Sequence, residues 1–146
     1  MTNISLRAAA FIIKDNKLLF AKNINHPCYY IIGGGIKENE TSQEAVIREI
    51  FEETGFTLEI DKLALIQERF HEVNKQKRHE IVFFYLMKNN SCVNILDNSL
   101  TDQGNKETLH WLTINDLGKY DIIPAFLKTK TLFTRNEIEH IIVKEY

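Results

Sequence analysis

Fifteen residues, TSQEAVIREIFEETG at 41–55, fix a helix at both of its ends. Thr41 followed three residues later by Glu44 is a capping-box pattern, and Gly55 supplies the stop. Strand signals hem this helix in on both sides. SLRAAAFIIK (5–14) runs into Asp15-Asn16 and KLLFAK (17–22) follows, which predicts a hairpin. CYYII (28–32) stops at GGG (33–35). Three glycines are too permissive to hold a strand, but they let the backbone bend tightly or approach a ligand. Beyond the helix, KLALIQERFHE (62–72) and HEIVFFYLMK (79–88) read as long strands joined by an exposed loop, VNKQK (73–77). The second is apolar on both faces, which places it centrally in a sheet. TLHWL (108–112) is a further strand, and TIND (113–116) is a second capping box opening a short helix to about Leu117. PAFLKTKTLF (124–133) reads as a helix with Pro124 in its first turn. The last stretch, NEIEHIIVKEY, fits helix and strand alike. Hairpin-linked strands around helices predict a mixed sheet with helices on its faces, an α/β fold of the α+β kind.

No repeat, low-complexity tract or linker divides the 146 residues, so one domain over 1–146 is expected. The formal net charge of −2 indicates neither a nucleic-acid arm nor an acidic tail. Cys28 and Cys92 lack metal-binding spacing and read as free thiols in a reducing compartment. No apolar run approaches the roughly 20 residues that span a bilayer, and the N-terminal stretch reads as a strand rather than a signal peptide. The expectation is a cytoplasmic protein with no nucleic-acid polymer and no membrane among its partners.

Charge is distributed oddly on the helix. At 100° per residue, Glu49, Glu52 and Glu53 fall within about 100° of arc, while Val46, Ile47, Ile50 and Phe51 take a different arc. Glu49 makes like-charge pairs with Glu52 and Glu53, each costing roughly 0.2–0.5 kcal/mol on an exposed helix. All three acids also lie toward the C-terminal end, where the helix dipole disfavours them. One reading is a solvated acidic face, with Arg48 bonded to Glu44 or Glu52. The other is a divalent-cation site, since hard cations take carboxylate oxygens and leave positions for water and phosphate. The dipole argument favours the second.

The surrounding spacing adds to this. Gly34 is followed by five residues, Glu40, seven residues, Arg48-Glu49-Ile50, one residue, Glu52-Glu53, one residue, then Gly55-Phe56. These nine positions over residues 34–56 resemble the Nudix box, the signature of MutT-like Nudix hydrolases, and are far more specific than a lone glycine motif. The resemblance is sharp over 29–56, loose over most of the chain, and absent after about Phe126. It implies an α/β/α sandwich with a central mixed sheet, the box forming a strand, loop and helix.

By resemblance, Glu49, Glu52 and Glu53 hold Mg²⁺ or Mn²⁺, with Gly34 at the same metal site. The family cleaves nucleoside diphosphates linked to another moiety by water attack on phosphorus, and the base is a box glutamate or one from a distant loop. Arg48 then orients a glutamate within the catalytic set. Glu40 ties down the loop, and Gly55 serves the helix end. Three positions depart from the family's usual pattern: Ile32 where proline is common, Asn39 where glycine is common, and Lys37 where an acid is common. None removes a metal ligand, and Asn39 tolerates positive φ better than most residues would, so it can stand in for glycine.

Outside the box, Glu107 is the first candidate for a further base or ligand and Asp102 the second, each equally a solvated loop acid. Arg7, Arg69, His71 and His79 lie on or near strands, and Arg69 is the choice for substrate phosphate because Arg suits its geometry. Tyr29, Tyr30 and Phe70 can stack a base, though strand aromatics are usually core. The basic cluster at 74–79 is taken as a solvated hairpin tip. The expected partner is a small nucleotide, and a homodimer is common in the family. The leading function is a metal-dependent pyrophosphohydrolase. The alternatives are a nucleotide-metabolite sensor of the same fold, which loss of box carboxylates would favour, and a diphosphate isomerase, for which nothing specific is present.

Overall fold

The computed structural model describes residues 4–88, 94–101, 106–129 and 136–146. Strands β1 (Ile4–Phe11), β2 (Ile13–Lys14), β3 (Lys17–Asn23), β4 (Tyr29–Ile31) and β5 (Gly33–Gly35) precede helix α1 (Ser42–Thr54). The long strands β6 (Ile60–Val73) and β7 (Gln76–Met87) follow, then β8 (Ser99–Leu100), β9 (Glu107–Thr113), β10 (Ile122–Ile123) and β11 (Glu139–Lys144). The mixed α/β architecture is as expected, but the strands divide between two mixed sheets. One has the order β11-β6-β7-β1-β5, the other β10-β4-β3-β9-β8 with β2 on β3. β7 is central in its sheet, antiparallel to β6 and parallel to β1. The undecided tail is a strand, β11, parallel to β6.

Before α1, two single residues carry the chain from one sheet to the other. Ile12, between β1 and β2, and Ile32, between β4 and β5, are both buried, and Ala10 N–H donates to Ile32 O at 2.9 Å. Both hairpins close on two residues. Asp15 and Asn16 have φ of 51° and 60°, and Asn74 and Lys75 have 51° and 64°, the double positive φ whose twist matches paired strands. The expected 73–77 loop is therefore only this turn, because the strands pair right up to Val73 and Gln76.

The triple glycine contradicts its expectation: it is a strand, antiparallel to β1 with Gly33 opposite Ala9. Space explains the composition. A Cβ at Gly33 would stand 2.7 Å from Ala9 Cα, and one at Gly34 would run into the Glu49 carboxyl, whereas Gly35 has open space. β-pairing satisfies this backbone, and only glycine lets it lie so close to β1 and α1.

α1 forms as its sequence dictates. Thr41 Oγ1 accepts from Glu44 N–H at 3.0 Å, and Gly55, at φ 79°, closes the helix through its N–H to Phe51 O. Ala45, Val46 and Ile50 are buried in one cluster with Ala8, Ala10 and Tyr85, which ties the helix to β1 and β7. Fully burying Val46 and Ile50 contributes about 1.5–3 kcal/mol each. A second cluster, including Phe11, Leu18, Phe20, Leu65 and Phe84, fills the space between the sheets.

The second capping box does not form. Residues Ile114–Lys119 make a 3-10 helix without a side-chain cap at Thr113, and Asp116 turns to Lys119 at 3.2 Å instead. The helix expected over 124–133 is, where described, a 3-10 turn at Ala125–Lys128 preceded by Pro124, and residues 130–135 lie outside the described set. No helix of the described residues is long and apolar enough to cross a membrane.

Candidate active site

The loop between β5 and α1 is organised by one ion-pair hub. Arg48 donates from Nε to Glu40 Oε2 at 2.7 Å and from Nη2 to Glu40 Oε1 at 3.0 Å. Nη2 also reaches Gly35 O at 3.0 Å, while Nη1 donates to Glu49 Oε1 at 2.9 Å and Glu52 Oε2 at 3.1 Å. One guanidinium thus holds the loop, the β5 backbone and two helix carboxylates. Glu40 also accepts from Lys37 N–H at 3.0 Å, and the turn between them passes through Asn39 at φ 64°, the conformation a glycine would otherwise supply. The hydrogen bonds from Arg48, then from the Lys37 backbone, hold the Glu40 carboxyl at about 2. The Glu40 bond likewise raises the Arg48 pKa above its ordinary value. Glu44 is engaged in the helix cap rather than with Arg48.

Glu53 has a different environment. It is only 9% exposed, and its Oε2 has no hydrogen-bond partner among the described residues. Burial, then the charges of Glu107, Glu49 and Glu52, push its pKa up to about 8, against a smaller opposing effect from Arg7. Glu107, the first residue of β9, also has a buried Oε2 without a partner. Tyr30 hydrogen-bonds to Glu107, and burial followed by the Glu107 charge raises the tyrosine's pKa. Two partnerless carboxylate oxygens are thereby buried on the same side of the molecule. Glu49, which Gly34 leaves room for, stands beside them electrostatically.

Glu53 and Glu107 open onto a cavity of about 420 Å³ between the two sheets, within the usual range for small-ligand sites. Arg7, Tyr30, Gln67, Arg69 and Glu80 also line it. Arg69, the sequence choice for phosphate, is engaged: its Nε donates to Glu145 Oε2 at 2.8 Å, and Nη1 lies 4.0 Å from Glu80 Oε2. Arg7 makes no ion pair among the described residues and lies close enough to Glu53 to oppose its pKa rise. Of the other residues singled out, His71 lies 3.2 Å from Glu80, and His79 stacks on Phe70 at 4.2 Å. Tyr29 meets His110 and Tyr120 edge-on, leaving Tyr30 as the aromatic residue of that pair in the cavity. The 74–79 stretch is the exposed hairpin tip expected, apart from half-buried His79. Cys28 is a free thiol; Cys92 and Asp102 lie outside the described residues.

Gln67 was not anticipated. Its signal was a polar residue inside the apolar run of β6, at a position that the strand buries.

Among the described residues no three histidine, cysteine or acidic side chains close into a ready metal cage, and Glu49 and Glu52 each give an oxygen to Arg48. The donor set still fits a hard cation. It consists of carboxylate oxygens, and the partnerless Oε2 atoms of Glu53 and Glu107 lack the positive charge that would settle them.

Similarity to known proteins agrees with this geometry. The chain is 46% identical over 55 residues to a Methanocaldococcus jannaschii protein named ADP-ribose pyrophosphatase, covering 36% of this chain and 32% of that one. It is 32% identical over 91 residues to a Lactococcus lactis protein named probable DHNTP pyrophosphohydrolase, covering 59% and 55% respectively. The matched stretches thus span between about a third and just over half of these curated relatives. Among solved structures, the Bacillus halodurans mutator MutT protein superposes with a TM-score of 0.74 at 14% identity, covering 97% of this chain and 91% of that one, which shows a shared fold. A MutT NUDIX hydrolase from Burkholderia pseudomallei gives a TM-score of 0.60 at 25% identity, covering 79% and 87%. The sequence model of the NUDIX domain matches residues 5–132, most of the chain, and the protein therefore belongs to the NUDIX family.

Proposed function

We propose that the protein is a metal-dependent pyrophosphohydrolase that cleaves a nucleoside diphosphate linked to another moiety. The observation that carries this reading is the pair of partnerless oxygens of Glu53 and Glu107 on one cavity, with the Arg48-held carboxylates of Glu49 and Glu52 on the same helix as Glu53. The names of the Methanocaldococcus jannaschii and Lactococcus lactis relatives support the same reaction class.

Glu49, Glu52 and Glu53, with the backbone of Gly34, would hold Mg²⁺ or Mn²⁺. When bound, such an ion neutralises diphosphate oxygens and lowers the pKa of a coordinated water. The chain's own groups do the rest. Arg48 fixes the rotamers of Glu49 and Glu52, so little ordering remains to be done on binding. Arg7, without an ion pair among the described residues, supplies a guanidinium for the substrate's phosphate. Water oxygen attacks one phosphorus, and the bridging P–O bond breaks with its electron pair on the departing phosphate. A cavity carboxylate accepts the water's proton. Glu107 suits this role because it faces the cavity from β9, outside the helix that gathers the other acids.

The test is product release from a panel of nucleoside diphosphate derivatives with Mg²⁺, with Mn²⁺ and with chelator. Cleavage that needs metal, and that is lost in Glu52→Gln and Glu53→Gln, supports the reading. Tight binding of a panel member without cleavage contradicts it.

A further inference from the structure

Glu107 is the cavity carboxylate that stands outside both α1 and the Arg48 hub, and its nearest neighbours in the sheet do not hold it. Asn23 lies directly opposite on β3, but its Oδ1 accepts from Asn25 N–H at 2.9 Å. Thr101 N–H donates to Glu107 O at 3.1 Å, yet the buried Thr101 hydroxyl makes no hydrogen bond among the described residues. The donor comes from one strand further away, where Tyr30 hydrogen-bonds to the Glu107 carboxylate. Tyr30 pairs with Ala21 and Ala21 with Leu109, so Tyr30, Ala21, Leu109 and Glu107 point to one face across β4, β3 and β9. Two strand spacings sideways and two residues along set Tyr30 and Glu107 on the order of 12 Å apart at the backbone. A long side chain crosses that gap, and Ala21, small and fully buried, lies beneath it. Glu107 Oε2 stays buried without a partner, so the tyrosine engages the other oxygen. The ring of Tyr30 packs on the core cluster that includes Ala21, Ile50 and Leu109, and a phenylalanine would fill the same space. The hydroxyl therefore serves Glu107 rather than the core. Burial, then the Glu107 charge, raises the phenol pKa, which keeps the hydroxyl a donor at neutral pH.

We propose that Tyr30 is a positioning residue for the reaction: its hydroxyl ties one oxygen of Glu107 and so turns Oε2 into the cavity, toward the attacking water. This rests on the pyrophosphohydrolase reading, which gives the water's proton to Glu107. As the water oxygen bonds to phosphorus, its O–H bond breaks and the proton passes to Glu107 Oε2. Tyr30 keeps its own proton throughout and acts through the carboxylate it holds. A base that must meet one water is sensitive to direction, and a displacement of about 1 Å costs up to about a hundredfold in rate.

The experiment is a pair of double-mutant cycles on the full chain: wild type, Tyr30→Phe, Glu107→Ala and both together. In chelator, urea melts read the contact itself. Tyr30→Phe should lower the midpoint in the wild type and leave it unchanged in the Glu107→Ala background. In Mg²⁺, kinetics use the member of the nucleoside diphosphate panel that the wild type cleaves fastest. Tyr30→Phe should lower kcat by about tenfold with KM within about twofold. Once Glu107 is replaced, it should cost nothing further. Calorimetric affinity for Mn²⁺ should match the wild type, because Tyr30 does not hold the α1 carboxylates. An unchanged kcat with or without a rise in KM, a fall in Mn²⁺ affinity, or equal losses of kcat in both backgrounds would overturn the proposal. The kinetics and calorimetry of Tyr30→Phe decide it even where Glu107→Ala does not fold. Coupled melts without turnover of any panel member remove the hydrolase reading, and this role with it, but keep the contact. Metal-dependent turnover with uncoupled melts and kinetics leaves the hydrolase standing and removes this inference.

Discussion

Arg48 grips Glu40 with two parallel hydrogen bonds, Nε to Oε2 at 2.7 Å and Nη2 to Oε1 at 3.0 Å, and spends its remaining nitrogen on Glu49 and Glu52. This fork joins the loop before α1 to the acids on it. A lysine keeps the charge but cannot reproduce the planar fork and the bridge together. Arg48→Lys is therefore expected to lower activity or metal affinity by roughly tenfold to a hundredfold, the usual cost of losing a partner that orients ligands. Metal titration of kcat in the variant checks this, and unchanged metal dependence would count against the hub.

The same fork sets a pH dependence. Glu40 is held at about 2, below its ordinary 4.5, chiefly by Arg48. A depressed carboxyl contributes stability that is present above its unfolded pKa and lost as pH falls through its folded one. Glu40→Gln should destabilise the protein at pH 7, and its difference from the wild type should shrink between about 4.5 and 2. Urea melts across that range test the window; a constant difference would place the effect elsewhere.

Glu53 has the opposite sign. Burial first, and neighbouring acids second, raise it to about 8. The folded chain favours the protonated form, so stability associated with Glu53 is full below about 4.5 and declines as pH rises to about 8. In chelator, the wild type should lose stability over that interval, on the order of a few kcal/mol, while Glu53→Gln stays flat. Denaturant melts of both proteins in chelator compare the slopes, and parallel slopes would refute the assignment.

The glycines offer a contrast within one strand. A Cβ at Gly34 collides with the Glu49 carboxyl, whereas one at Gly35 meets nothing within 4 Å. Gly34→Ala is expected to cost activity at least tenfold by displacing a site carboxylate, and Gly35→Ala to leave both stability and turnover near wild type. Paired kinetics and melting curves for the two variants check this directly.

Much of the site was legible because its determinants are local. The α1 caps, the Asp15-Asn16 turn and the one-sided glutamates all follow from residues within a few positions of one another. The triple glycine was misread because its strand depends on β1, more than 20 residues earlier, where Gly33 backs onto Ala9. Arg69 was preferred over Arg7 for a similar reason. Arg69 is engaged by Glu145, 76 residues away, which no spacing rule connects to it. Gln67 became visible only when register turned a polar residue in an apolar strand toward a shared cavity. The first two crossings between the sheets likewise lie where Ile12 and Ile32 hand the chain across, and neither residue carries a local mark.

The role proposed for the α1 carboxylates is a metal-assisted attack on a diphosphate. The most direct measurement is product release from nucleoside diphosphate derivatives by wild type, Glu52→Gln and Glu53→Gln, each with Mg²⁺, with Mn²⁺ and with chelator. The wild type should cleave only with metal, and both folded variants should lose turnover. Full activity in both variants, or cleavage that chelator does not suppress, would rule this role out.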